Sequence, residues 1–509
     1  MDHELRPLPK VDNEVTHEIE KGSMTEVKEE ALPRHLKARH LSMITIGGTI
    51  GTGLFLASGN SIAQAGPGGA LVSYGLVGVM VYFLMTSLGE MATYMPVSGS
   101  FNTYGSRFVD PAFGFALGWN YWYVWTTTIA VELSASSVIV SYWLPHVPSF
   151  IWSLIILVII MGLNCISVKG YGESEYWFSM IKVVTVIIFV IIGCLVAGGV
   201  LGGHKYGFSN FTVGAAPFVD GFGGVISVFL VAGFSFQGSE MVGVTAGESS
   251  NPEKNIPKAV RQIFWRILLF YILAIFVIGL LIPYNDPSLM EASENDPNAV
   301  AQSPFTLCFK LAGLGPAPDI MNAVILTTIL SAGNSGVYAA SRTLWVLANE
   351  KKAPRFLRKV TKNGIPINAL LFTCLFSSLT FLSSLFGDKV VYNWLLSSSG
   401  VAGFVAWFGI AFNHWRFRRA FLAQGKSLSE LPYRAKLYPF GPILACVFCV
   451  LVIFGQAYFI VIQKPFKWTN LVANYIGVVG FFILFFGYKI VHKTKLVPLK
   501  ECDFSRLNI

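Results

Sequence analysis

Apolar residues run through this chain in long blocks separated by short polar loops. Each block is close to the roughly 20 residues a helix needs to cross a bilayer core. The runs are continuous rather than alternating, which excludes a transmembrane barrel. The pattern predicts an all-α membrane protein with twelve transmembrane helices, at about 42–65, 68–93, 113–143, 149–167, 174–201, 219–246, 261–283, 318–348, 367–386, 390–411, 440–462 and 471–491. Gly66-Pro67-Gly68-Gly69, Pro145 to Pro148 and Gly441-Pro442 punctuate the turns.

Two of these runs are interrupted. The first reads Ile44-Thr-Ile-Gly-Gly-Thr-Ile-Gly-Thr-Gly-Leu-Phe55 and carries Gly47, Gly48, Gly51 and Gly53. Each glycine loosens a helix by about 1 kcal/mol relative to alanine. In hydrocarbon, a freed peptide group must find a partner. A helix loosened there predicts a cavity where backbone groups bind something, although Gly47 and Gly51 also have the spacing of close helix packing. The sixth run repeats the feature: Gly233 and Gly238 bracket Ser235, Gln237, Ser239 and Glu240. The two interruptions lie five spans apart, and an odd-numbered repeat inverts its second copy. Paired broken helices at corresponding positions predict a transporter site at the bilayer midplane.

Composition agrees with the pattern. Of 509 residues, 53% are hydrophobic and only 13% charged, against about 25% charged in soluble domains. The net charge of +9 does not point to nucleic acid, because the basic residues sit in loops. The loop after the eighth span carries Lys351, Lys352, Arg355, Arg358, Lys359 and Lys362. That after the tenth carries Arg416, Arg418, Arg419, Lys426, Arg434 and Lys436. The loop after the seventh is acidic, with Asp286, Glu291, Glu294 and Asp296. The positive-inside rule then places both termini in the cytoplasm of a multi-pass cell-membrane protein. Residues 1–33 read as a disordered acidic tail without an apolar leader. The membrane-spanning body covers 34–495, with one repeat over about 42–201, a second over about 219–411 and extra helices over about 440–491. Residues 496–509 read as a cytoplasmic tail. The seven cysteines are scattered and form neither a disulfide framework nor a metal set, so no cofactor is expected. No nucleophile–base pair stands in sequence reach, which argues against an enzyme. The sequence leaves the oligomeric state open.

The candidate chemistry lies at the interruptions. A broken helix offers free N–H groups to an anion and free carbonyls to an ammonium, which suits a zwitterion. Thr49 and Thr52 add hydroxyls at the first break, and Ser235 and Ser239 at the second. Three charged residues stand deep in apolar runs: Glu132, Lys182 and Glu240. Each costs several kcal/mol there unless paired or hydrated. Two acids and one base leave a negative site, suited to a cationic amino acid; each acid also reads as a structural carboxylate at helix ends. Lys182 either reaches back to the interface or alternates between charged and neutral, coupling a proton to helix opening. Glu90, at the end of the second span, reads equally as a gate partner or a boundary residue. Tyr121 and Trp125 are four apart and share a helix face that can line the cavity or simply pack. Phe234 or Phe236 can close over a substrate.

Several stretches carry a resemblance: Arg39-His-Leu-Ser-Met-Ile44, Gly47-Gly-Thr-Ile-Gly-Thr-Gly-Leu-Phe55, Ser87-Leu-Gly-Glu-Met91, Pro96-Val-Ser-Gly-Ser-Phe101 and Gly247-Glu-Ser-Ser-Asn-Pro-Glu-Lys-Asn-Ile-Pro257. From about residue 32 to 495 the chain resembles the amino acid permeases of the amino acid–polyamine–organocation superfamily. Gly170-Tyr-Gly-Glu-Ser-Glu-Tyr-Trp-Phe-Ser179, Arg261-Gln-Ile-Phe-Trp-Arg-Ile-Leu-Leu-Phe270 and Ser331-Ala-Gly-Asn-Ser-Gly336 make it similar to the bacterial lysine-specific permeases. The resemblance implies a five-plus-five inverted repeat with two extra helices, and proton-driven import of L-lysine across the lipid bilayer. It implies that Ile50, Gly51, Thr52 and Gly53 hold the substrate backbone with the carbonyls near Phe234. It implies that the acid at Glu132 meets the side-chain ammonium. Lys182 matches a proton-coupling lysine between the first, fifth and eighth helices, with Ser331 and Asn334 as neighbours. Glu240 matches an acid linked to protonation or substrate contact. Broader cationic transport, exchange, or lysine sensing are the alternatives.

Overall fold

The computed structural model describes residues 43, 50–166, 168–249, 251–289, 303–462 and 466–505. Thr49, the acidic tail and most of the acidic loop after the seventh span lie outside them. Among the described residues the fold is helical throughout, with no strand. Among the described residues, ten helices are long and apolar enough to cross a membrane, and Phe440–Gln456 is a shorter apolar one.

The first described helix, α1 (Thr52–Phe55), is one turn and starts from an extended Gly51. Helix α2 (Ala57–Tyr94) is bent at Gly66, whose φ of +73° divides it into 57–65 and 67–94. Then come α3 (Ser100–Phe108), α4 (Pro111–Ser141), α5 (Ser149–Ile166) and α6 (Val168–Ala197). The sixth predicted span is built in pieces, α7 (Gly221–Ser227), α8 (Phe229–Phe236) and α9 (Met241–Val244). Helix α10 (Pro252–Arg266) passes through a π-helical turn at Ile267–Ile272 into α11 (Leu273–Leu281). The remainder is α12 (Pro304–Leu311), α13 (Ala317–Asn349), α14 (Ile367–Ser377), α15 (Ser383–Phe386), α16 (Asp388–Ala423), α17 (Phe440–Ile462) and α18 (Trp468–His492).

Burial sorts these helices. The most apolar window of α4, and that of the Gly221–Glu248 segment, is 89% buried, against 28% for α5 and α18. Helix α4 and the sixth segment therefore form the interior, while α5 and α18 line the rim. Helix α5 turns Phe150, Leu154, Ile155, Val158 and Ile159 outward, as a lipid-facing stripe does. Its other face packs Ile156, Leu157 and Ile160 against Ile129 and Leu133 of α4 and Val337 of α13. A lipid solvent gives apolar helices little hydrophobic reason to associate, so close packing and buried hydrogen bonds hold such a bundle together.

Three elements run past their sequence limits, the first being α10, which begins at Pro252 rather than 261. The apolar pattern ends the tenth span near 411, whereas α16 continues to Ala423. Arg416, Arg418 and Arg419 are thus helical rather than in a loop. The first two are buried because they have partners: Arg416 donates to Phe108 O (2.8 Å) and to Val497 O, and Arg418 donates to Glu90 through both Nε and Nη2. Glu90 also accepts from Ala435 N (2.6 Å), so it joins the interior and not a solvated boundary. Likewise α6 begins at Val168, before the expected 174, which brings Tyr171 into the helix and sets Glu175 two turns inside it rather than at its end.

Candidate functional site

The first break brings three helices together. Ile50 and Gly51 are non-helical and fully buried. A Cβ on Gly51 would lie 3.0 Å from Glu132 Oε1 of α4 and 3.4 Å from Ala332 Cβ of α13. Thr52 donates its hydroxyl to the same Glu132 oxygen at 3.0 Å. Glu132 Oε2, equally buried, has no hydrogen-bond partner among the described residues. A buried carboxylate with one oxygen tied to the unwound segment and the other open is an acceptor poised for a cation or donor.

The second break lies at 237–240. Gly238 takes φ +89°, a left-handed conformation that glycine enters without a Cβ penalty. Gly233, expected to bracket this break, is instead inside α8 and packs on the Phe404 ring. Glu240 accepts from Gly238 N at 3.1 Å, Tyr121 OH at 3.4 Å and Trp407 Nε1 at 3.1 Å. Gln237 donates to Ser399 O at 2.8 Å and accepts from Ser399 Oγ at 3.2 Å. The two breaks touch at Gly53, where a Cβ would lie 2.6 Å from Ser235 Cα. Ser235 pairs with Tyr74 OH (3.1 Å), and its carbonyl accepts from Tyr271 OH (2.8 Å). Phe234 packs with Ala57, Ala130, Val131, Val391, Leu395 and Leu396, while Phe236 stacks toward Tyr271, with ring centres 4.3 Å apart.

Helix α4 spans both breaks with one face. Tyr121 meets Glu240 at one end, and Glu132 meets Thr52 eleven residues on, about 16 Å along the helix. Trp125 lies between them, 3.3 Å from where a Gly336 Cβ would stand, and meets Tyr121 edge-on at 6.1 Å. Glu132, on α4, and Glu240, which meets α4 through Tyr121, therefore stand at separate points along that helix.

A third cluster joins α6 to α13. Ser331 Oγ donates to Glu175 Oε2 and Asn334 Nδ2 to Glu175 Oε1, both at 2.8 Å. Asn164 of α5 donates to Asn334 Oδ1 at 2.8 Å. Lys182 is fully buried, two turns beyond Glu175, and the charges acting on it are Glu175 and Glu132. Toward the start of α6, Tyr171 stacks on Tyr338 with ring centres 4.1 Å apart. Arg342 covers Tyr338 at 3.6 Å and binds Glu248 at 2.8 Å.

The sequence reading missed several buried charges: the paired Glu248 and Arg342, and two that stand nearer the breaks, Glu175 and Arg266. Glu175 stands where the apolar pattern places a span boundary; its signal is the seven-residue spacing to Lys182, two turns on one helix face. Arg266 sits at the end of α10, is 1% exposed and donates to Ser239 Oγ. It acts electrostatically on Glu240, and its signal is a lone basic residue in an apolar run. With them, and apart from the Glu248–Arg342 and Glu90–Arg418 pairs, the clusters around the two breaks and α6 hold the acids Glu132, Glu175 and Glu240 and the bases Lys182 and Arg266.

Comparison with known proteins fits a chain of this build. The amino acid permease family matches residues 40–500. The chain belongs to that family. Among curated relatives, this permease is 55% identical over 476 residues to the lysine-specific permease LysP of Escherichia coli (strain K12), covering 93% of this chain and 97% of that one. It is 53% identical over 500 residues to the lysine-specific permease LysP of Lactococcus lactis subsp. cremoris (strain MG1363), covering 97% of each. It is 50% identical over 474 residues to the histidine permease HisP of the same organism, covering 93% and 98%. The relatives are permeases, transporters rather than enzymes, and this chain is a multi-pass membrane permease.

Proposed function

We propose that this permease imports L-lysine together with a proton, by alternating access between the two faces of the membrane. The carrying observation is Glu132: a buried carboxylate fastened to the unwound start of α1 and holding one oxygen open. An ammonium is the natural occupant of such an acceptor. The peptide groups of 50–53 take the zwitterionic end, and Thr49 belongs to the same proposal. Tyr121, Trp125, Phe234 and Ser235 line the path between the breaks. Lys182 carries the coupled proton, with Ser331 and Asn334 beside it, and Glu240 is a second protonatable station. The names of the two relatives at 53–55% identity favour lysine as cargo.

The architecture that goes with this reading has twelve spans, arranged as a five-plus-five inverted repeat with two further helices. Both termini face the cytoplasm. The Glu248–Arg342 pair and the Tyr171–Tyr338 stack then close the inner side and must part when the site opens inward.

Reconstituted in proteoliposomes without sodium, the protein should accumulate labelled lysine when a pH gradient, acid outside, is imposed. Strict dependence on sodium would end the proton reading. The likeness to a histidine permease favours one rival, a broader cationic amino acid carrier. A large excess of unlabelled histidine or arginine should leave most lysine uptake intact; displacement equal to that by lysine decides for the rival.

A further inference from the structure

Ser331 and Asn334 do not reach out to an open cavity. Both donate to one carboxylate, Glu175, at 2.8 Å. Ser335 and the Tyr171 hydroxyl stand by it, and Asn164 braces Asn334 from behind. Glu175 is fully buried. Two neutral donors favour the charged form of this carboxylate through direct hydrogen bonds. Lys182 follows two turns later on the same helix face, and a helical side chain leans toward the N-terminal turn, here toward Glu175. Among the described residues, Glu175 from its own helix and Glu132 from α4 are charged groups acting on Lys182, while α13 and α5 bring the neutral donors Ser331, Asn334 and Asn164 to this cluster.

Resting on the reading of Lys182 as the proton carrier, we propose that Glu175 is a positioning residue for coupling: it is the fixed counter-charge that sets the pH at which Lys182 gives up its proton. Ser331 and Asn334 serve Lys182 through it. The carboxylate stays ionised through the cycle, the proton leaves Lys182 to water on the inner side, and the neutral amine is reprotonated from outside. One helix thereby carries both the titrating group and the field that tunes it.

The test is the pH profile of lysine uptake in proteoliposomes. Removing the charge with Glu175→Gln should move the alkaline limb of uptake toward acid by about one pH unit or more, the usual effect of losing a near opposite charge. Lysine counterflow at pH 5.5, where Lys182 stays protonated, should remain within about threefold of the parent, which a merely structural lesion would not allow. Glu175→Asp, which keeps the charge, should restore much of the profile. Should Glu175→Gln fail to reach the membrane, Ser331→Ala and Asn334→Ala each strip one donor from the carboxylate and should shift the limb in the same direction. An unshifted profile in Glu175→Gln, or in both alanine variants, overturns the proposal. Lys182→Ala keeps the two claims apart. If it still accumulates lysine, the proton reading itself falls; if it loses accumulation while the Glu175→Gln profile is unshifted, only the role of Glu175 falls.

Discussion

Glu132 keeps a carboxylate away from water beside peptide groups that no helix has claimed. One oxygen is held by Thr52; the other is where a bound cation gains most, because a buried acceptor without a donor is costly. Replacing Glu132 by Gln keeps the shape and the Thr52 contact and removes the charge. A hydrogen bond to a charged group contributes about 1.5–3 kcal/mol, so lysine binding should weaken roughly ten- to a hundredfold. Calorimetry on the detergent-solubilised protein would measure this, while the thermal midpoint should hold or rise. Unchanged affinity would make Glu132 a structural acid. At this scale the sequence showed which acids are unusual: Glu132 and Glu240 stand inside apolar runs. It did not show Glu175, because a charge near a span end is unremarkable until the helix is seen to start earlier.

Among the elements, α2 shows how one backbone position decides a path. Gly66 takes φ +73°, and a Cβ there would lie 2.6 Å from Pro217 O. That same carbonyl accepts from Gly68 N at 2.9 Å and Gly69 N at 3.2 Å. The bend is thus pinned to the segment before α7, coupling the first broken span to the sixth. Gly75, two turns along the same helix, meets nothing within 4 Å. Gly66→Ala should lower stability by at least about 1–2 kcal/mol from the left-handed backbone alone, whereas Gly75→Ala should be neutral or gain up to about 1 kcal/mol. Unfolding midpoints of the two variants in detergent would check the contrast. The Gly66-Pro67 turn was legible because proline and glycine both oppose a continuing helix. The exact break in the sixth span was not: Gly233 and Gly238 look alike in sequence, but only the second has to turn the chain.

Across the whole molecule, one face gathers the ends of elements far apart in sequence. Asp110 caps α4 by accepting from Ala112 N at 2.9 Å, and also holds Lys489 of α18 and Thr494 Oγ1 at 2.7 Å. Val497 N donates to Val109 O at 2.8 Å, and Phe504 sits among Tyr94, Phe108, Phe417 and Phe421. The segment after α18 therefore ties the last helix to the start of α4. Burial alone would raise the Asp110 carboxyl pKa, but the hydrogen bonds from Lys489, Thr494 and Ala112 outweigh it and hold it below the ordinary 3.8. A carboxyl depressed in the folded state adds stability above its unfolded value and loses it as pH falls through the folded one. Asp110→Asn keeps the cap, since asparagine caps as well as aspartate, and removes only the charge. Its thermal midpoint should lie below the parent's at pH 7, and the gap should close as pH drops below 3.8. A gap of the same size at pH 3 would assign the effect to shape instead.

By itself the sequence determined that this chain lives in a bilayer, roughly where most of its described helices run, and that its sixth span is interrupted. Those are local matters: apolar run length, the cost of charge in lipid, and the backbone freedom of glycine and proline act within a few residues of one another. Only the tertiary structure decided that Glu132 meets the first break while Glu240 meets Tyr121 and Trp407, and that Ser331 and Asn334 serve Glu175. It also decided that Glu90 is matched to Arg418 from more than three hundred residues away. A buried charge announces that it needs a partner, but which partner depends on helix packing, and no local pattern in the chain records that choice.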